Sequence, residues 1–224
     1  NLTIINFLIF PTLFYLIVYI NKKSKTTYRK KPYKKNLFIF GLLFGFGFYF
    51  CSLSWIVNSL TFDENFKVLI PFALIIIPLF LSLFIAFVTL LVGPYLKLDF
   101  SSLLFFSASL SLSDYIRAKI LTGFPWNLWA YSTSELSEIL QIINLIGLYS
   151  YNLLVITFYL LPVIFFYKID HAKKILSLSL ALLLIISLYI YGNYKKNKNL
   201  DFNQNIEEKI FVKIISPNFD LKYN

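Results

Sequence analysis

Methionine is missing from this sequence altogether, cysteine and histidine occur once each, and charged side chains make up only 14% of the residues. Each shortage removes a class of protein. One cysteine, Cys51, closes no internal disulfide, and it fits no metal-ligand spacing, so a disulfide scaffold and a zinc module are excluded. No Ser-His-Asp, Cys-His or other catalytic set can be assembled from the residues present, and His171 reads as a solvated side chain in a basic loop. A soluble domain carries roughly 25% charged residues, so this composition belongs to a membrane protein. The missing methionine bears on the ends. Translation starts with Met, yet the chain opens "NLTIINFLIF", and it stops at "KIFVKIISPNFDLKYN", just after a strand-like run. A piece of a longer protein is therefore expected.

What is abundant is apolar: 58% of the residues are hydrophobic and 20% aromatic. A bilayer core about 30 Å thick takes a helix of about 20 apolar residues. Six stretches meet that length, at 2–20, 37–60, 68–92, 100–121, 139–167 and 175–194. The fourth is the least clean, because Asp114, Arg117 and Lys119 fall near its end. Pro71, Pro78 and Pro162 lie inside spans, where neighbouring helices can satisfy the freed backbone groups. Beyond 194 the character changes. Residues 195–208 are polar and read as a linker, and "KIFVKIIS" then reads as the first strand of a soluble domain. Cys51, inside an apolar run, is expected to behave as a small buried hydrophobe.

Eight of the 21 Lys and Arg fall in residues 22–35. With apolar spans on both sides, that run is a membrane loop rather than a nucleic-acid site, and no nucleic-acid partner is expected. By the positive-inside rule, loops 21–36, 93–99 and 168–174 are cytoplasmic. The first residue, loop 61–67, segment 122–138 and everything after 194 then face outward.

Three places carry more than hydrophobicity. "LTGFPWNLWAYS", residues 121–132, concentrates Gly, Pro, Asn and two of the three tryptophans between apolar runs. Its aromatics fit an interfacial belt. Its irregular backbone fits a segment lining a lipid or substrate pocket. Asp114 and Arg117 share a helix face. They read either as an ion pair snorkelling to the interface or as a cation that meets a lipid phosphate. Gly41 and Gly45 form a small-xxx-small pair for close helix packing.

These residues resemble a known family. "DYIRAKILTGFPWNLWAYS" is similar to the signature region of apolipoprotein N-acyltransferases, with Asp114, Arg117, Thr122, Gly123, Phe124, Pro125, Trp126, Asn127, Tyr131 and Ser132 standing in the family's order. "GFGFYFCSLSWIVNS" and "NLIGLYSYNLL" resemble flanking family segments, the latter with Gly147 and Asn152 in matching places. "VKIISPNFDLKYN" resembles the first strand and turn of the family's nitrilase-like domain, near Lys222. Departures are Ala130 where glycine is usual, Thr133 where glutamine is common, and Asp114 for a glutamate.

The resemblance implies an all-α polytopic membrane bundle followed by the start of an α/β nitrilase-like domain at 209–224. It implies an enzyme that moves an acyl chain from a phospholipid donor, through a cysteine thioester, to the N-terminal amino group of an apolipoprotein acceptor. The bacterial inner membrane is its implied location, with the C-terminal domain facing the periplasm. The implied substrate-binding residues are Arg117, Gly123, Phe124, Pro125, Trp126, Asn127 and Tyr131. No cofactor and no metal are implied, and the Glu-Lys-Cys catalytic set is expected beyond Asn224, leaving this chain alone inactive. Two readings from other classes stand beside it: a non-catalytic membrane scaffold or split subunit, and a polytopic transporter.

Overall fold

The computed structural model describes residues 2–27, 33–120, 127–168 and 170–204. Helix α1 (Asn6–Thr27) is followed by α2 (Tyr33–Leu53), α3 (Ile70–Val92) and α4 (Phe100–Ile120). Two short helices, α5 (Ser137–Leu140) and α6 (Ile143–Ile146), precede α7 (Leu148–Leu160), and α8 runs from His171 to Gln204. Single 3-10 segments join several of these, and no strand occurs among the described residues. The nitrilase-like strand read at 209–224 lies outside the described residues.

Among the described residues, five helical segments are long and apolar enough to cross a bilayer: Thr3–Lys23, Lys34–Thr61, Glu64–Tyr95, Leu148–Phe166 and His171–Lys198. Of the remaining segment read as a span, 100–121, residues 100–120 form α4. Its 21 residues reach about 31 Å at 1.5 Å per residue, yet its composition is too polar to join the five. The polar residues face inward. Ser102, Ser107, Ser111, Asp114 and Arg117 are buried, whereas Leu104, Phe105, Leu112, Tyr115 and Ile116 are exposed. A water-soluble helix has the reverse arrangement.

Two expectations change. Residues 139–167 do not form one helix. Gly147 sits at φ 80°, a conformation that favours glycine, and it separates α5 and α6 from α7. Pro162 then turns the end of this span into a 3-10 segment, Leu161–Phe166. At the other end, α8 continues past 194 through residues read as linker, as far as Gln204.

α2 lies along α3 at very close range. A Cβ built on Gly45 would fall 2.9 Å from Ser82 Cα, and one on Gly41 would fall 2.9 Å from Ala86 Cα. No side chain fits in that space, so the small-xxx-small pair does serve packing. Leu37, Gly41, Gly45, Tyr49 and Leu53 recur every fourth residue and make this seam. Cys51 is two residues out of phase with it, on another face of α2, and it is exposed rather than buried. Phe10 and Phe14 of α1, Phe106 and Leu110 of α4, and Val155, Ile156 and Tyr159 of α7 form the main apolar core.

Candidate functional site

One end of this core carries a short segment whose shape is set by hydrogen bonds. Asn127 adopts φ 52°, a left-handed conformation that asparagine tolerates better than most residues. Its Nδ2 donates to Ser52 Oγ at 2.8 Å, and Ser52 in turn donates to the Phe48 carbonyl at 2.7 Å. The chain then tightens into a 3-10 segment, Trp129–Thr133. Trp129 stacks on Phe48, with ring centroids 4.0 Å apart, and meets the edge of Phe10 at 4.6 Å.

α7 fixes the rest of this segment through three side chains. Tyr159 Oη lies 2.6 Å from Ser132 Oγ, and Tyr151 Oη lies 2.6 Å from Thr133 Oγ1. Between them, the Ala130 N–H donates to Asn152 Oδ1 at 3.0 Å. Asn152 Nδ2 donates to Asp114 Oδ2 at 3.0 Å, and Arg117 Nη2 donates to Asp114 Oδ1 at 3.2 Å. Arg117 is 2% exposed and its guanidinium lies over the Tyr49 ring, 5.6 Å from the centroid. The two charges thus stay paired inside the protein, as burial requires, although Arg117 Nε has no hydrogen-bond partner among the described residues. Snorkelling to the interface is overturned for this pair.

Beside the segment lies a cavity of about 570 Å³ between α1, α2 and residues 127–132. Ile9, Phe44, Phe48, Leu128 and Trp129 give it apolar walls. Ser52, Asn127, Tyr131 and Ser132 line it with polar atoms. A mostly apolar hollow with a few placed polar groups is the usual form of a ligand site.

The sequence-predicted residues separate here. Asn127 and Tyr131 line the cavity. Arg117 does not, being buried between Asp114 and Tyr49. Gly123, Phe124, Pro125 and Trp126 lie outside the described residues. Sequence reasoning missed Ser52, Trp129 and Asn152 as site residues, and Cys51 as a cavity-lining one. Ser52 and Asn152 had a signal, since each is a polar residue in an apolar run that resembles the family. Nothing in the spacing tied Asn152 to a residue 38 positions earlier in the chain.

Helices that bury serines, an asparagine and an Asp–Arg pair while turning leucine and phenylalanine outward define a polytopic membrane protein. The family model for the apolipoprotein N-acyltransferase N-terminal domain matches residues 3–161. The chain belongs to the apolipoprotein N-acyltransferase family. It is 26% identical over 188 residues to the apolipoprotein N-acyltransferase of Rhodopseudomonas palustris, an alignment covering 82% of this chain and 34% of that protein. It is 32% identical over 161 residues to that of Rickettsia prowazekii, covering 71% and 32%. With the Brucella melitensis protein it shares 32% identity over 123 residues, covering 54% and 23%. The chain thus spans about a third of the length of the curated relatives it matches. No solved structure matches.

Proposed function

We propose that this chain is the membrane part of an acyltransferase of bacterial lipoprotein maturation, and that its cavity receives an acyl chain of the phospholipid donor. In the proposed reaction a cysteine thiolate attacks the phospholipid's acyl ester. The ester C–O bond breaks, and a lysophospholipid leaves as the alcohol. The free α-amino group of an S-diacylglyceryl-cysteine apolipoprotein then attacks the thioester, giving an amide and returning the thiol. A Glu acting as base and a Lys facing the oxyanion are assigned, with the cysteine, to the part of the family's length that this chain does not span.

One observation carries the reading: an apolar cavity of about 570 Å³ walled by Phe44, Phe48 and Trp129, with Asn127 and Tyr131 among its polar groups, in a chain of this family. Apolar walls suit an acyl chain, and the amide and phenol suit its ester or head group. Gly123, Phe124, Pro125 and Trp126 join this set through the family resemblance, while Arg117 supports it without lining the cavity. The protein sits in the inner membrane with loops 21–36, 93–99 and 168–174 cytoplasmic, so that segment 122–138 and the chain after 194 face the periplasm.

The test is complementation. The full-length protein is expressed in bacteria depleted of their own apolipoprotein N-acyltransferase, and the N-terminus of a reporter lipoprotein is read by mass spectrometry. A third acyl chain on the terminal cysteine is expected. A free amino group on the reporter, at normal membrane levels of the protein, would overturn the reading and favour a non-catalytic scaffold.

A further inference from the structure

Asn152 is wholly buried, and both ends of its carboxamide are committed. A carboxylate only accepts hydrogen bonds. The amide group that faces Asp114 must therefore be the NH2, which leaves Oδ1 to face the Ala130 N–H. Arg117 holds the other carboxylate oxygen. The orientation therefore passes in one direction, from guanidinium to carboxylate to carboxamide to a single backbone N–H.

That N–H has no competing partner in its own helix. Ala130 lies in the first turn of the 3-10 segment, where backbone donors lack intrahelical acceptors. On one side of it is Trp129, whose ring walls the cavity against Phe48. On the other is Tyr131, 43% exposed and also lining the cavity. One hydrogen bond from α7 thus sets the backbone between two cavity-lining side chains, Trp129 and Tyr131. We infer that Asn152 is a positioning residue for the acyl donor: it fixes Ala130, and through it Trp129 and Tyr131, so that the cavity keeps the width of an acyl chain. This rests on the reading of the cavity as an acyl-chain site.

Two variants of the full-length protein in its membrane test it. Asn152→Leu keeps the branching of the side chain, is somewhat bulkier, and removes both hydrogen bonds. The exchange Asp114→Asn with Asn152→Asp keeps the volume, the net charge and every acceptor–donor match: the new aspartate accepts from Ala130 N–H and the new asparagine accepts from Arg117. The probe is phosphatidylethanolamine carrying a diazirine on one acyl chain, with crosslinks located by mass spectrometry in peptides spanning 44–52 and 127–132. KM and kcat for acyl transfer from unmodified phosphatidylethanolamine are measured alongside.

For Asn152→Leu at wild-type membrane level, crosslinking in the cavity is expected to fall about tenfold and KM for the donor to rise by a similar factor, the size of effect that follows loss of a buried hydrogen bond. kcat at saturating donor should change much less. The exchange variant should recover most of the crosslinking. A purely structural role would instead lower the amount of folded protein at unchanged KM. Wild-type crosslinking and KM in Asn152→Leu would overturn the inference. So would an exchange variant that accumulates normally yet stays uncoupled from the probe. If Asn152→Leu fails to accumulate, Asn152→Asp alone, which keeps the acceptor for Ala130 N–H but cannot donate to Asp114, takes its place, and a wild-type KM and crosslink yield in that variant at normal membrane level would overturn the inference. A wild-type protein that crosslinks in the cavity but transfers no acyl chain would sink the acyltransferase reading and leave the positioning role standing. Absence of wild-type crosslinks from the cavity would remove both.

Discussion

The seam between α2 and α3 and the seam between α7 and residues 129–133 hold this protein together in opposite ways. The first is made by taking atoms away. Gly41 and Gly45 let the backbone of α3 approach until no Cβ would fit. The second is made by placing atoms. Tyr151, Asn152 and Tyr159 each meet one polar group of the segment, with no close backbone approach required. Inside a bilayer, helix association draws on both packing and interhelical hydrogen bonds. The difference lies in what each can encode. Close packing fixes a distance between two helices. A set of directed hydrogen bonds fixes the shape of an irregular segment, and here the irregular segment forms the cavity wall.

The comparison breaks most sharply at the buried ion pair. Asp114→Leu leaves Arg117 buried without its carboxylate and Asn152 without its acceptor. A loss of about 3–5 kcal/mol is expected for such an orphaned charge, measured as thermal unfolding in detergent. The double variant Asp114→Leu with Arg117→Leu should regain most of it, which separates the cost of the orphaned charge from the worth of the pair. Glycine substitutions in α2 come next, and they should differ in sign. Gly45→Ala should destabilise by about 1–3 kcal/mol, an overpacking effect, because its new methyl group meets Ser82. Gly47→Ala meets nothing within 4 Å among the described residues and should stabilise by up to about 1 kcal/mol through helix propensity alone. Equal effects at the two positions would mean that α2 and α3 are not in the described contact.

Smaller again is Tyr151→Phe. Thr133 keeps its bond to the Ala130 carbonyl, so only one hydroxyl contact is lost, at a cost of about 0.5–1.5 kcal/mol. The smallest effect is expected at Glu138, outside the spanning helices, where a hydrogen bond from Lys196 holds the carboxyl below its usual range. A carboxyl lowered by folding adds stability above its unfolded value and loses it as pH falls through its folded one. A slight fall in unfolding temperature on acidification below the ordinary carboxylate range should therefore vanish in Glu138→Gln. The pair is partly solvated and screened by salt, so the effect stays small.

Run length and charge were enough to read a helical membrane protein, because a bilayer leaves few other ways to satisfy the backbone. The i, i+3 spacing was enough to pair Asp114 with Arg117. It could not show which way the pair points, since a helix face turned to lipid and one turned to protein have the same spacing. Burial was decided by Asn152, a tertiary partner that no local pattern reveals. Gly147 illustrates the same limit: it sits inside an apolar run, and only its positive φ shows that the run is broken there. For Cys51, hydrophobic surroundings in sequence suggested burial. The four-residue repeat of Leu37, Gly41, Gly45, Tyr49 and Leu53 puts it on another face of α2, so the residue was misread from composition where phase would have placed it.

The central claim is that an acyl chain occupies the cavity, and Gly47 offers the most direct access to it. Gly47 lines the cavity and, among the described residues, nothing occupies the place where a side chain would begin. Gly47→Phe in the full-length protein therefore fills the hollow without disturbing the α2–α3 seam. The measurement is the mass of the third acyl chain on a reporter lipoprotein in cells relying on this variant. A shift towards shorter chains than the wild-type protein installs is the expected result. An unchanged chain-length distribution, at an unchanged rate of transfer, would contradict the account.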